Sequence, residues 1–215
     1  MEDISKLCSR LSASIPDYQS EIEDNFYRVK IPMVGGVGEA TFEVRFVRVN
    51  GGCFATPTIA GIHYPLDKRV GYLGGNVEYV GSFNTSLFSV VDYLDGGVLV
   101  INELKIPSWP FGTENEKRVL EEVVPKYFSD YVVPYVHEMS SLAFIDEVYR
   151  KNKSDCIVHL PFQLHRASLS ILLTQAKRPH QLSVEIEEWQ SVAQNWKASD
   201  IGRFGSFIQA VQEGF

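Results

Sequence analysis

Two runs of alternating residues on either side of a glycine cluster constrain this chain more than any other feature. In FYRVKI (26–31), Tyr27, Val29 and Ile31 fall on one side and Arg28 and Lys30 on the other. In TFEVRF (41–46), Phe42, Val44 and Phe46 alternate with Thr41, Glu43 and Arg45. A period of two puts successive side chains on opposite faces of a strand, so both runs are expected as half-buried antiparallel strands. Between them lies MVGGVGEA (33–40). Its G-x-G core also occurs where nucleotide-binding loops bring backbone amides to phosphate, but such a loop leads into a helix or carries Lys followed by Ser or Thr. Here a strand follows, so Gly35, Gly36 and Gly38 read as a hairpin connection able to take positive φ.

Around this pair the other elements fall into place. Ile4, Leu7, Cys8, Leu11 and Ile15 recur at helical spacing and Pro16 closes the helix. NGG (50–52) predicts a hairpin into a third strand, CFATPTIAGI, ending before His63. Glycines at 71, 74, 75 and 81 make the stretch from 64 onward a loop, with a short strand near Val77–Val80. TSLFSVVDYLDGG suits a short helix with a glycine cap, and VLVINELKI (98–106) another strand. Thr113 and Glu116 form a capping box, and Pro125 and Pro134 must kink or divide the helix that follows. Val119, Val123, Tyr127, Tyr131 and Tyr135 are expected as one stripe across those breaks. Beyond residue 154 three helices are predicted, centred on Leu169, Trp189 and Phe207. The fold class is therefore α+β: an antiparallel sheet packed with helices over 1–153, and an all-helical extension over 154–215.

Motifs for chemistry are sparse. His137 and Glu138 do not complete H-E-x-x-H, because position 141 is Ser, and His159 and His165 are six apart. No serine lies in a nucleophile-elbow context, and Cys8, Cys53 and Cys156 are isolated, which predicts three buried or partly buried thiols rather than disulfides or zinc ligands. No catalytic residue, metal site or cofactor is expected. Glu121, Glu122, Glu185, Glu187 and Glu188 read as solvated helix faces, and Trp189 and Trp196, seven apart, as one core-facing side of a helix.

Charge narrows the partners. The net charge of −7 is spread evenly, with 8 basic against 12 acidic residues in the first hundred positions and 12 against 15 in the remainder. Nucleic acid and anionic membrane are disfavoured as partners, since both require phosphates to be neutralised. No apolar run approaches the roughly 20 residues that span a bilayer, and MEDISKLCSR lacks the pattern of a secretory signal, so a cytoplasmic location is expected.

The order of elements over 1–140, carried by Ile4–Leu11, FYRVKI, TFEVRFVRV, SLFSVVDYLDGGVLVINELKI and the helix after Thr113, resembles the type III secretion chaperone-like fold. That resemblance implies a non-enzymatic protein that binds another protein: an effector chaperone or a related regulator, with a homodimer as one arrangement. An immunity-type protein that neutralises a toxin fits the same acidic, motif-free character. The expected contact residues are His63, Tyr64, Asp67, Lys68, Arg69 and Tyr72 in the 63–84 loop, and Trp109 and Phe111 in IPSWPFG, whose rings either wait for a partner or, as large rings more often do, pin their loop to the core. The alternative is an enzyme or small-ligand binder that uses His63, Asp67, Lys68 and Arg69.

Overall fold

Alternation in the sequence becomes a sheet with one dry face. In a computed structural model of the chain, which describes residues 2–23, 25–64, 66, 82–101 and 108–214, β1 (Ser20–Glu23), β2 (Phe26–Pro32), β3 (Gly38–Val49), β4 (Gly52–His63) and β5 (Phe83–Ser86) form an antiparallel meander in that order. A sixth strand, β6 (Trp109–Pro110), pairs with Phe54–Ala55 of β4, while β5 pairs with Thr58–Gly61 further along it. Tyr27, Val29, Ile31, Phe42, Val44, Phe46, Ala55 and Ile59 are all buried on the inner face. On the other face Arg28 pairs with Glu43 at 2.5 Å and Glu23 at 3.1 Å, and Lys30 with Glu21 at 2.5 Å. Such partly exposed pairs set register more than they stabilise.

The glycine stretch is a hairpin connection. Val34–Gly36 make a single 3₁₀ turn in which Gly35 and Gly36 take φ of 77° and 69°, and Gly38 already belongs to β3, opposite His63. At Gly38 the constraint is close approach: a Cβ there would lie 1.9 Å from the Ile62 carbonyl oxygen. The next connection is the two-residue turn Asn50–Gly51, as NGG predicts.

Helices close the inner face. α1 (Glu2–Ser14) buries Ile4, Leu7, Cys8 and Leu11. α2 (Leu87–Gly96) is capped by Ser86 at its start and by Gly97, at φ 66°, at its end. α3 (Glu114–Tyr127) starts with both bonds of the predicted capping box, runs into a π turn (Phe128–Val132) and continues as α4 (Val133–Met139). Pro125 lies inside α3 and Pro134 in the first turn of α4, and the division between the two is the π turn, not either proline. Phe128 meets Phe42 at 5.7 Å and Tyr135 meets Phe83 edge-on at 5.7 Å, so the divided helix lies along the sheet.

Two expectations are corrected, and a third lies mostly outside the described residues. The stripe Val119–Tyr135 is not one face: its burial rises from end to end, with Val123, Tyr127 and Tyr131 half-buried between the two extremes. Val119 is 46% exposed at one end and Tyr135 fully buried at the other. The face over the sheet is Leu120, Val124, Phe128, Val132, Tyr135, Val136 and Met139, kept in line by the π turn. Of the strand expected at 98–106, the described residues 98–101 show a single bridge, Val100 to Ile157; the remainder, like Val77–Val80, lies outside the described residues. Glu185 is not solvated: it is buried, accepts from Ser170 Oγ at 2.6 Å and Trp189 Nε1 at 2.9 Å, and pairs with Lys153 at 2.7 Å.

The remaining helices are α5 (Leu142–Lys151), α6 (Gln163–Lys177), α7 (Leu182–Ala193) and α8 (Ala198–Glu213). α6 is buried from Leu164 to Thr174 and packs with α5, α7 and α8. A strap, 153–160, ties this group to the sheet: the Asn84 amide donates to the His159 carbonyl at 2.9 Å, and the Ile101 amide to that of Cys156 at 2.8 Å. Buried Arg166 holds the strap from below, its guanidinium donating to the carbonyls of Leu160, Lys153 and Asp155. His159 is sealed among Tyr93, Tyr135 and Phe144, with Nδ1 3.0 Å from the Tyr135 hydroxyl.

Two outcomes follow for stability. Gly38→Ala, which forces a methyl group into the Ile62 carbonyl, lowers unfolding free energy in urea by roughly 3 kcal/mol, against about 1 kcal/mol for Gly36→Ala, where only the positive φ is at stake. Burial pushes the His159 imidazole down to about 4. The unfolded chain therefore takes up the extra proton first, and stability falls as pH drops from about 6.5 to 4, by up to about 3 kcal/mol from this group. His63 and His165 are also lowered by burial and act in the same direction. Urea titrations at pH 7 and pH 4.5 show a smaller difference for His159→Phe than for the parent chain.

Candidate functional site

Strand β6 is two residues long, yet it decides where the aromatic segment SWPF sits. Pairing with β4, and the Phe111 amide donating to the Cys53 carbonyl at 3.0 Å, carry the chain along the sheet edge where β5 stops. Pro110, which has no amide to donate, is tolerated there because the strand lies at an edge. Phe111 turns inward and is buried, edge-on to Phe46 at 5.2 Å. Trp109 stays half-buried between the first turn of α2 and the end of α3.

Around Trp109 the rings form a continuous strip. Phe88 lies 5.3 Å from Trp109, Trp109 5.8 Å from Tyr127, and Tyr127 5.3 Å from Tyr131. Edge-to-face and tilted contacts of this kind add about 0.5–1.5 kcal/mol each beyond the area they bury, so the rings hold one another in place. All four remain partly exposed. Beyond them Val123 is half-buried and Val119 exposed, which lengthens the apolar surface along α3. The Tyr131 hydroxyl donates to Asp95 Oδ2 at 3.1 Å, and that carboxylate raises the tyrosine pKa. Rigid rings with polar tips at the edge are the residue types that dominate protein interfaces.

Of the other expected site residues, His63 and Phe111 are buried and present no surface here. His63 is fully buried at the end of β4, its ring facing the backbone at Met139 and Ser140 without a hydrogen bond of ordinary geometry, and its amide donates to Ser82 Oγ at 3.1 Å. It is a core residue, placed inward by the same alternation that buries Ile59. Tyr64, the next residue, is 52% exposed. Asp67, Lys68, Arg69 and Tyr72 lie outside the described residues. A ligand or partner meeting this surface touches neither His63 nor Phe111.

The rings that sequence reasoning missed are Phe88, and Tyr127 and Tyr131 as surface groups. The i, i+4 spacing of Tyr127 and Tyr131 was visible, but their exposure depends on where the sheet lies. Among the described residues no cluster of His, Cys, Asp and Glu is arranged to hold a metal ion. The thiols stand as expected, with Cys8 buried and pushed up to about 11 by its burial, and Cys53 and Cys156 half-buried. No helix among the described residues is long and apolar enough to cross a membrane. Comparison of the chain with protein-family models, with curated proteins and with solved structures finds no match.

Proposed function

We propose that this protein acts without catalysis, in the cytoplasm, by binding another protein, as an effector chaperone or an immunity-type protein that covers a toxic partner. The observation that carries this is the strip Phe88–Trp109–Tyr127–Tyr131, in which four mutually braced rings stay partly exposed at the sheet edge. Interface energy concentrates in such Trp and Tyr anchors, which lose little side-chain entropy on binding because they are already held. The order of helix, antiparallel strands, short helix and capped helix supports the chaperone-like reading, and a net charge of −7 favours a basic partner through faster capture.

A toxin or effector encoded beside this gene is the partner to test. Its dissociation constant rises by about thirtyfold or more for Trp109→Ala, the loss expected of a central anchor. Lys177→Ala, an exposed change on α6, leaves binding as it was. Calorimetric titration of both variants, with melting curves to show each is folded, checks this. Equal affinity of Trp109→Ala and the parent chain would remove the strip as the contact surface.

A further inference from the structure

The meander ends differently on its two sides. β5 and β6 occupy the outer side of β4, whereas β1, at the other end, pairs with β2 alone among the described residues. That pairing fixes which backbone groups face outward. The Lys30 amide donates to the Gln19 carbonyl at 2.9 Å, and the same alternation makes Glu21 with Arg28 and Glu23 with Phe26 the hydrogen-bonded pairs. Ser20 and Ile22 therefore turn their N–H and C=O groups away from β2, with about 7 Å between the two residues. No turn, loop or cap among the described residues takes up these groups.

Sheets guard an open edge by making it short or charged. β1 is guarded in both ways: it has four residues, and Glu21 and Glu23 project on the face away from the helices, with side chains 40% and 56% exposed. The guard is selective. On that face the charge changes sign from strand to strand, Glu21 pairing with Lys30, Glu23 with Arg28, and Arg28 with Glu43. A further strand continues this order only if it is basic. A second copy of β1 breaks it: the antiparallel register that engages Ser20 and Ile22 of both copies sets Glu21 opposite Glu21, and directly opposed like charges destabilise a strand pair. On the helix side Ile22, opposite buried Tyr27, is 41% exposed and left open to an apolar neighbour.

We propose that β1 takes up an extended segment of a partner protein as a further antiparallel strand, one with Lys or Arg at alternate positions and apolar residues between them. Antiparallel is the sense of every other pair in the sheet. The backbone of the segment bonds to Ser20 and Ile22, its apolar side chains lie beside Ile22, and its cations reach Glu21 and Glu23 on the other face. β2 already shows the pattern that fits, because Arg28, Val29 and Lys30 meet the same strand from its inner side, the two cations on the carboxylates and the valine in the core. The edge lies across the sheet from the aromatic strip, and a strand added there neither needs nor excludes a partner on the strip.

The test is an NMR titration of the ¹⁵N-labelled full chain with the peptide acetyl-Thr-Lys-Val-Lys-Val-Lys-Thr-amide. The Ser20 and Ile22 amide signals move saturably, and both amides exchange with solvent about tenfold more slowly at saturation. Two control peptides each bind at least about tenfold more weakly: one with Glu in place of Lys, and one N-methylated at both valines, which keeps the charge but removes the donors that face β1. Glu21→Gln combined with Glu23→Gln weakens the lysine peptide by about tenfold, with a melting curve to show that the variant is folded. Signals that stay put at about 10 mM lysine peptide, where a millimolar ligand is largely bound, would overturn the proposal. So would equal binding of the N-methylated peptide, the mark of charge attraction without a strand. Movement of the same two amides on dilution of the chain alone would assign the edge to a second copy and overturn it as well. If the double variant does not fold, the comparison of the three peptides on the parent chain decides.

Discussion

Twelve residues of β3 lie against twelve of β4, from Gly38 opposite His63 to Val49 opposite Gly52. Because strand side chains alternate, this one register determines which residues of the meander face the helices, and a slip of one position would turn Phe42, Val44 and Phe46 out to water. Both ends are pinned by glycine chemistry. At Gly38 the neighbouring backbone comes too close for any side chain, and at Asn50–Gly51 the turn needs a positive φ. Ring contacts from the divided helix then lock the face that the register has chosen, through Phe128 on Phe42 and Tyr135 on Phe83.

The exposed strip is a consequence of the same arrangement. β4 is longer than either strand on its outer edge, so β5 covers one part of it and β6 another. Trp109 enters at the second part and meets Phe88 and Tyr127, which lie at the margin of the helices rather than beneath them. The π turn keeps Phe128 and Val132 inward and leaves Tyr127 and Tyr131 at that margin. Here a backbone adjustment that serves the core also produces a surface suited to a partner.

Local signals in the sequence were reliable guides to local structure. Period-two alternation marked β2 and β3, NGG their connection to β4, and Thr113 with Glu116 the start of α3, because each depends on residues within a turn or two of one another. β1, β5 and β6 were not visible: they are two to four residues long, and pairing with a distant strand defines them. His63 was read as a loop residue from its polar neighbourhood, and sheet register buries it; of the two rings read as pinning a loop to the core or meeting a partner, Phe111 does the first. Glu185 looked solvated beside Glu187 and Glu188, yet Lys153, more than thirty residues away, neutralises it in the core.

Hydroxyl-radical footprinting of the free and partner-bound chain tests the binding strip most directly. Partly exposed Trp109, Tyr127 and Tyr131 should be oxidised in the free protein, with oxidation at all three falling in the complex while exposed Tyr64 serves as a reference outside the strip. Rings that resist oxidation in the free chain, or that are oxidised equally in both states, would contradict a partner held at this surface.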